Sequence, residues 1–215
     1  MWLLRFFSSS IGKKILMAVT GLLLLLFLVA HAVGNAAIFF GSSAFQAYAD
    51  ALHSLPVVVF VFGLGLLVVF LVHITIGIQL FLQNRKTGAA RYAVTTRVVK
   101  NTFASSTMPY TGLLILLFVV IHVFGFGVNP SGVEVSTLVK DLLGNFFYGL
   151  FYLFSFCVLA VHLSHGFWSM LQTLGFNHPR YNDGIAKLTY IVPGFFLVFF
   201  GTIVLYFMTG IGAAY

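Results

Sequence analysis

Charge is scarce in this sequence: Asp, Glu, Lys and Arg together make up 7% of 215 residues, and only four residues are acidic. A water-soluble domain of this size could not cover the 60% of residues that are hydrophobic, so a soluble globular fold is excluded and the bilayer must act as solvent. Cysteine is nearly missing as well. Cys157 stands alone, which excludes a disulfide within the chain and a cysteine-ligated iron–sulfur cluster, since such a cluster takes about four ligands. Cys157 is expected to serve as a small packing residue. No strand-turn-helix context surrounds the Gly63-x-Gly65 and Gly210-x-Gly212 pairs, so they are not phosphate loops. Both are read as sites of close packing in apolar helices.

Long apolar runs are present instead. A membrane-spanning helix needs roughly 20 mainly apolar residues, and five such stretches lie near 15–40, 56–82, 108–128, 145–172 and 185–209. The runs are continuous rather than alternating, and backbone groups in lipid must pair within their own segment, which selects helices over barrel strands. The expectation is an all-α fold: an integral membrane five-helix bundle forming one domain over 1–215. Met1 to Lys14 precedes an apolar run too long for a signal core and without an Ala-x-Ala-like end, so it is read as retained, with Trp2, Phe6 and Phe7 in the interface.

Ten of the eleven basic residues fall before the first stretch, between the second and third, or between the fourth and fifth, leaving Lys140 alone on the other side. The positive-inside rule then places the N-terminus in the cytoplasm and the C-terminus outside a cytoplasmic membrane. The net charge of +7 reflects this topology and does not indicate a nucleic-acid partner.

An internal repeat locates the candidate chemistry. Met17-x-x-Thr20-Gly21-Leu22-Leu23-x-Leu25-Leu26-Phe27-x-Val29-x-His31 aligns with Met108-x-x-Thr111-Gly112-Leu113-Leu114-x-Leu116-Leu117-Phe118-x-Val120-x-His122. His73-x-x-x-Gly77 likewise echoes His162-x-x-x-Gly166. The chain reads as a duplicated two-helix unit plus a fifth helix. Parallel repeats of this kind place equivalent residues at similar depth on facing helices, so His31 is paired with His122 and His73 with His162, in two layers.

Histidine is costly in hydrocarbon and is rare there without a partner or a task. Zinc would want about four ligands, and no Asp or Glu lies within the five stretches. A haem needs two axial ligands and an apolar slot rich in Phe, Leu and Gly, so two b haems, one per histidine pair, are expected. Two axial ligands close the iron's coordination shell, leaving outer-sphere electron transfer. His165, three residues beyond His162, is an alternative ligand or a propionate contact. His53 and His178 are read as loop residues. A haem-free transporter whose histidines relay protons is the reading from another class.

The start Ser9-Ser10-Ile11-Gly12-Lys13-Lys14-Ile15-Leu16-Met17-Ala18-Val19-Thr20-Gly21 joins the run His31-Ala32-Val33-Gly34-Asn35 and the stretch His162-Leu163-Ser164-His165-Gly166-Phe167-Trp168, with Gly175 and Pro179 following. Together these resemble the cytochrome b558 family, the membrane subunit of succinate dehydrogenases and fumarate reductases. The resemblance covers nearly the whole chain. It implies a flavoprotein partner for the dicarboxylate chemistry and an iron–sulfur partner on the cytoplasmic loops, around Arg85 to Lys100 and Arg180 to Lys187. Menaquinone is the implied electron carrier, and His31, His73, His122 and His162 the haem ligands. Certain relatives use a glutamate near the outer end of the first helix in quinone chemistry. Here that stretch holds Gln46, Tyr48, Asp50 and His53 but no Glu, so Tyr48, Asp50 and His53 are the quinone-site candidates. The di-haem subunit of a nitrate reductase or formate dehydrogenase would share these helices and histidines.

Overall fold

The computed structural model describes residues 2–88, 103–127, 132–176 and 178–214. Among them there are eight α-helices and no strand: α1 (Trp2–Ser8), α2 (Ser10–Asn35), α3 (Ser42–His53), α4 (Pro56–Gly88), α5 (Phe103–Gly127), α6 (Val135–Gly144), α7 (Phe146–Thr173) and α8 (Asn182–Met208). Five of these, α2, α4, α5, α7 and α8, are long and apolar enough to cross a membrane. The chain is an all-α membrane bundle.

Local chemistry sets the helix ends. Ser9 caps α2 by accepting a hydrogen bond from the Gly12 amide, so the helix begins at Ser10 rather than near residue 15. A 3-10 turn over Ala36–Phe40 extends α2 to Gly41, whose φ of +100° suits glycine. Asn145 caps α7 through its side-chain oxygen, which accepts from the amides of Phe147 and Tyr148. Pro109 and Pro193 lie inside α5 and α8; each removes one helix hydrogen bond, which neighbouring groups in a packed membrane helix can offset.

Three short helices go beyond the five expected. The α3 helix contains Tyr48, Asp50 and His53, which the sequence places in a loop; it buries Phe45 and Ala49 on one side. That spacing of four is a helical stripe, diluted in the sequence by polar neighbours. In α6, Ser136, Val139 and Leu143 form the buried stripe. The apolar core sits beyond the middle of the bundle toward α3 and α6, around Ile38, Phe45, Leu143, Tyr152, Phe200 and Val204.

Three packing expectations are corrected. Cys157 is exposed on the outside of α7, not packed within the chain. A Cβ added at Gly63 or Gly65 would meet nothing within 4 Å, so neither supports close packing among the described residues. Gly210 lies beyond α8 at φ +76° and Gly212 in a 3-10 turn, so this pair ends a helix instead of lining one, although Gly212 does pack closely, with Tyr206 and Phe207 within 3 Å of an added Cβ.

Candidate functional site: two layers of paired histidines

The α2–α4 and α5–α7 hairpins pack internally as the repeat requires, and α7 also packs on α2. Contacts of α2 with α4 and of α5 with α7 explain why particular residues recur. Thr20 Oγ1 lies 3.1 Å from His73 Nδ1, and Thr111 Oγ1 lies 3.1 Å from His162 Nδ1. A Cβ added at Gly21 would stand 3.5 Å from His73 Cε1, and one at Gly112 would stand 3.6 Å from His162 Cε1. The Met17 methyl faces Gly77 and the Met108 methyl faces Gly166 in the same way, at 3.2 and 4.0 Å from an added Cβ. Methionine, threonine and two glycines thus seat one imidazole in each hairpin. This is the threonine layer.

Each threonine has one hydroxyl proton, and its helix takes it. Thr20 Oγ1 donates to the carbonyls of Leu16 and Met17, at 2.8 and 3.1 Å. Thr111 Oγ1 donates to those of Thr107 and Met108, at 3.2 and 3.0 Å. The hydroxyl therefore accepts from the imidazole, which puts the ring proton on Nδ1 and leaves Nε2 as a bare lone pair. His73 on α4 and His162 on α7 are the equivalent residues of the two hairpins, each held by its own threonine. His165 is half-buried on the same helix, but the threonine hydroxyl holds His162.

The second layer is eleven residues along, from Thr20 to His31 and from Thr111 to His122, or roughly 16 Å at about 1.5 Å per residue. The rings of His31 and His122 face each other at 5.8 Å between centroids, nearly perpendicular at 85°. The repeat continues here: Phe27 lies against His31 at 5.5 Å and Phe118 against His122 at 5.6 Å. It then breaks. His122 Nδ1 lies 3.1 Å from the Tyr152 hydroxyl, which lies 3.2 Å from that of Tyr148. His31 instead meets the Phe200 ring of α8 at 5.8 Å. We call this the tyrosine layer.

Two imidazoles that ligate one metal ion from opposite sides, through bonds of about 2 Å, stand roughly 6 Å apart at their centroids. The His31 and His122 spacing fits. Among the described residues no three His, Cys, Asp or Glu side chains converge, so the donor sets are pairs rather than a four-ligand zinc site. Phenylalanine lines the tyrosine layer and glycine the threonine layer, the surroundings a flat apolar macrocycle needs. The residues present fit a bis-histidine haem by ring spacing in the tyrosine layer, and in the threonine layer they offer two equivalent imidazoles, each with Nδ1 held by a threonine.

The proposed quinone residues lie at the end of the bundle beyond the tyrosine layer. Asp50 and His53 line one cleft of about 510 Å³ with Gln46, Phe126 and Glu134. The Gln46 amide nitrogen donates to Asp50 at 2.8 Å, and its oxygen accepts from the Ser136 amide at 3.1 Å. Tyr48 is directed elsewhere, with its hydroxyl against Gly34 of α2. Glu134 was not singled out in the sequence because it lies 84 residues from Asp50, and only the packing of α6 on α3 brings the two together. At the opposite end Arg180 and Lys187 are exposed; of the Arg85 to Lys100 stretch, residues 89–100 lie outside the described residues. His178 is in a loop as expected, where its ring accepts from the Arg180 amide.

Fold and site define an all-helical membrane bundle in which His31 and His122 face each other and His73 and His162 are seated alike in the two hairpins. The chain matches no family model, no curated protein and no solved structure.

Proposed function

We propose that this chain is a di-haem cytochrome b, the membrane-anchor subunit of a succinate:quinone oxidoreductase. The observation that carries the haem reading is the repeated seating of His73 by Thr20 and of His162 by Thr111, which leaves both Nε2 atoms free as ligands. His73 and His162 would hold one haem b, and His31 and His122 the other. Bound haem would supply a one-electron iron couple. The chain's own contribution is to fix ring orientation through Thr20, Thr111 and Tyr152, and to keep water out with Phe27, Phe118 and Phe200.

The dicarboxylate partner is inferred from the resemblance to the cytochrome b558 family and from the basic end of the bundle. In this reading the N-terminus is cytoplasmic and an iron–sulfur subunit docks on the loops near Arg85, Arg180 and Lys187, with a flavoprotein behind it. A quinone, menaquinone by family resemblance, would react near the tyrosine layer. Asp50 and His53 are the groups there suited to exchanging protons, and Glu134 on the same cleft is a third.

Purification of the chain from cells with ample haem tests this directly. Two b haems per chain, together with co-purification of a flavoprotein and an iron–sulfur protein that oxidise succinate, are expected. A colourless protein would exclude the cytochrome reading, and a red protein bound to a different dehydrogenase would move it to another quinone-linked complex.

A further inference from the structure

The threonine hydroxyls bear on the electronic state of the ligands as well as on their position. A histidine that donates its Nδ1 proton to a good acceptor becomes a more basic ligand at Nε2, and a more basic ligand favours the oxidised metal. In the threonine layer both histidines are in this state. Each Nδ1 faces a buried hydroxyl whose own proton has a backbone carbonyl of its helix to bond, which favours the imidazole as donor in both contacts. In the tyrosine layer the arrangement differs. His122 meets a tyrosine hydroxyl that can either donate or accept, and His31 is flanked by Phe27 and Phe200.

We propose that Thr20 and Thr111 are a matched pair of positioning residues that fix the Nδ1–H tautomer of His73 and His162 and lower the reduction potential of the group those histidines hold. The proposal rests on the haem reading above. It adds that the two layers are tuned separately, by hydroxyls on the helix opposite each ligand, and that the two halves of the repeat act on one and the same group. The methyl and hydroxyl of threonine have separate tasks. The hydroxyl bridges helix and ring, whereas the methyl only fills space, so serine should replace threonine in function and valine in shape alone.

The test uses the intact complex and redox-titrated optical spectra. Thr20→Val and Thr111→Val should each keep two haems and raise the midpoint potential of the same spectral component, the one lost in His73→Ala. The expected shift corresponds to a change of several-fold to tenfold in its reduction equilibrium; tenfold is 59 mV for a one-electron couple. Thr20→Ser should return the potential to that of the unaltered protein. The component lost in His31→Ala should stay in place throughout. Haem retained with both potentials unchanged would overturn the proposal while leaving the haem reading intact, and so would shifts in two different components. Absence of haem from the unaltered complex would sink the haem reading itself. Should a valine variant lose haem, Thr20→Cys carries the test, since sulfur is only a weak acceptor. A smaller upward shift is then expected, and an unchanged potential in that variant would overturn the proposal.

Discussion

At the threonine layer the two hairpins use the same residues in the same way, whereas at the tyrosine layer they part company. Thr20 on His73 and Thr111 on His162 match in distance, donor and acceptor. One turn beyond the shared Phe27 and Phe118, His122 meets Tyr152 and His31 meets Phe200. Part of the difference is Tyr152 itself, which lies on α7, and part traces to α8, which has no counterpart in the repeat. It packs against α7 and brings Phe200 between Phe156 and His31, at 5.5 and 5.8 Å. Duplication therefore explains one layer almost completely and the other only in part. A fifth helix added to a symmetric four-helix unit must break the symmetry somewhere, and here Phe200 does so on the His31 side of the tyrosine layer.

The strongest way to break this comparison is to remove ligands. His73→Ala and His162→Ala should each abolish one haem signal, and His31→Ala and His122→Ala the other. If His73→Ala and His122→Ala removed the same signal, the layers would be wrongly paired. Crowding the ring seats should come next in size. Gly21→Val and Gly112→Val each push a branched side chain toward an imidazole already 3.5 or 3.6 Å from an added Cβ, at a cost of about 1–3 kcal/mol. Thermal unfolding in detergent should show similar losses for both, and a large loss in only one would show the two seats to be unequal.

Much of this was legible from the sequence. The Met-x-x-Thr-Gly and His-x-x-x-Gly repeats located every residue of the threonine layer, because duplicated contacts require duplicated side chains at fixed helical spacing. What those side chains do was not legible. That Thr20 reaches His73 depends on how α2 packs on α4, and no spacing within one helix encodes that contact. Tyr152 and Tyr148 carry no repeat signal, so nothing in the sequence marks them. The α3 helix escaped notice because Phe45 and Ala49 are too few apolar residues to register among Gln46, Tyr48 and Asp50. Gly63 and Gly65 misled in the opposite direction, since small residues in an apolar helix suggest packing whether or not a neighbour is present.

Smaller effects sharpen the tyrosine layer. Tyr152→Phe keeps the ring against Phe118 and removes the hydroxyl beside His122, so a loss of about 0.5–1.5 kcal/mol is expected in detergent unfolding. The haem component of that layer should change and the other should not. In the cleft beyond it, Asp50→Asn and His53→Ala should lower quinone-linked turnover while succinate oxidation by a soluble dye persists; normal quinone turnover in both would remove these residues from the site. Smallest of all, Gly63→Leu should lower stability by no more than about 0.5 kcal/mol, since among the described residues nothing lies within 4 Å of an added Cβ. A marked loss there would reveal a neighbouring protein on α4.

The central claim is that this bundle holds two haems in two distinct settings, and a redox-titrated optical spectrum of the purified protein tests it most directly. Two b-type components with separate midpoint potentials and comparable amplitude are predicted. A spectrum with no haem absorption, or a single haem per chain titrating as one component, would contradict it.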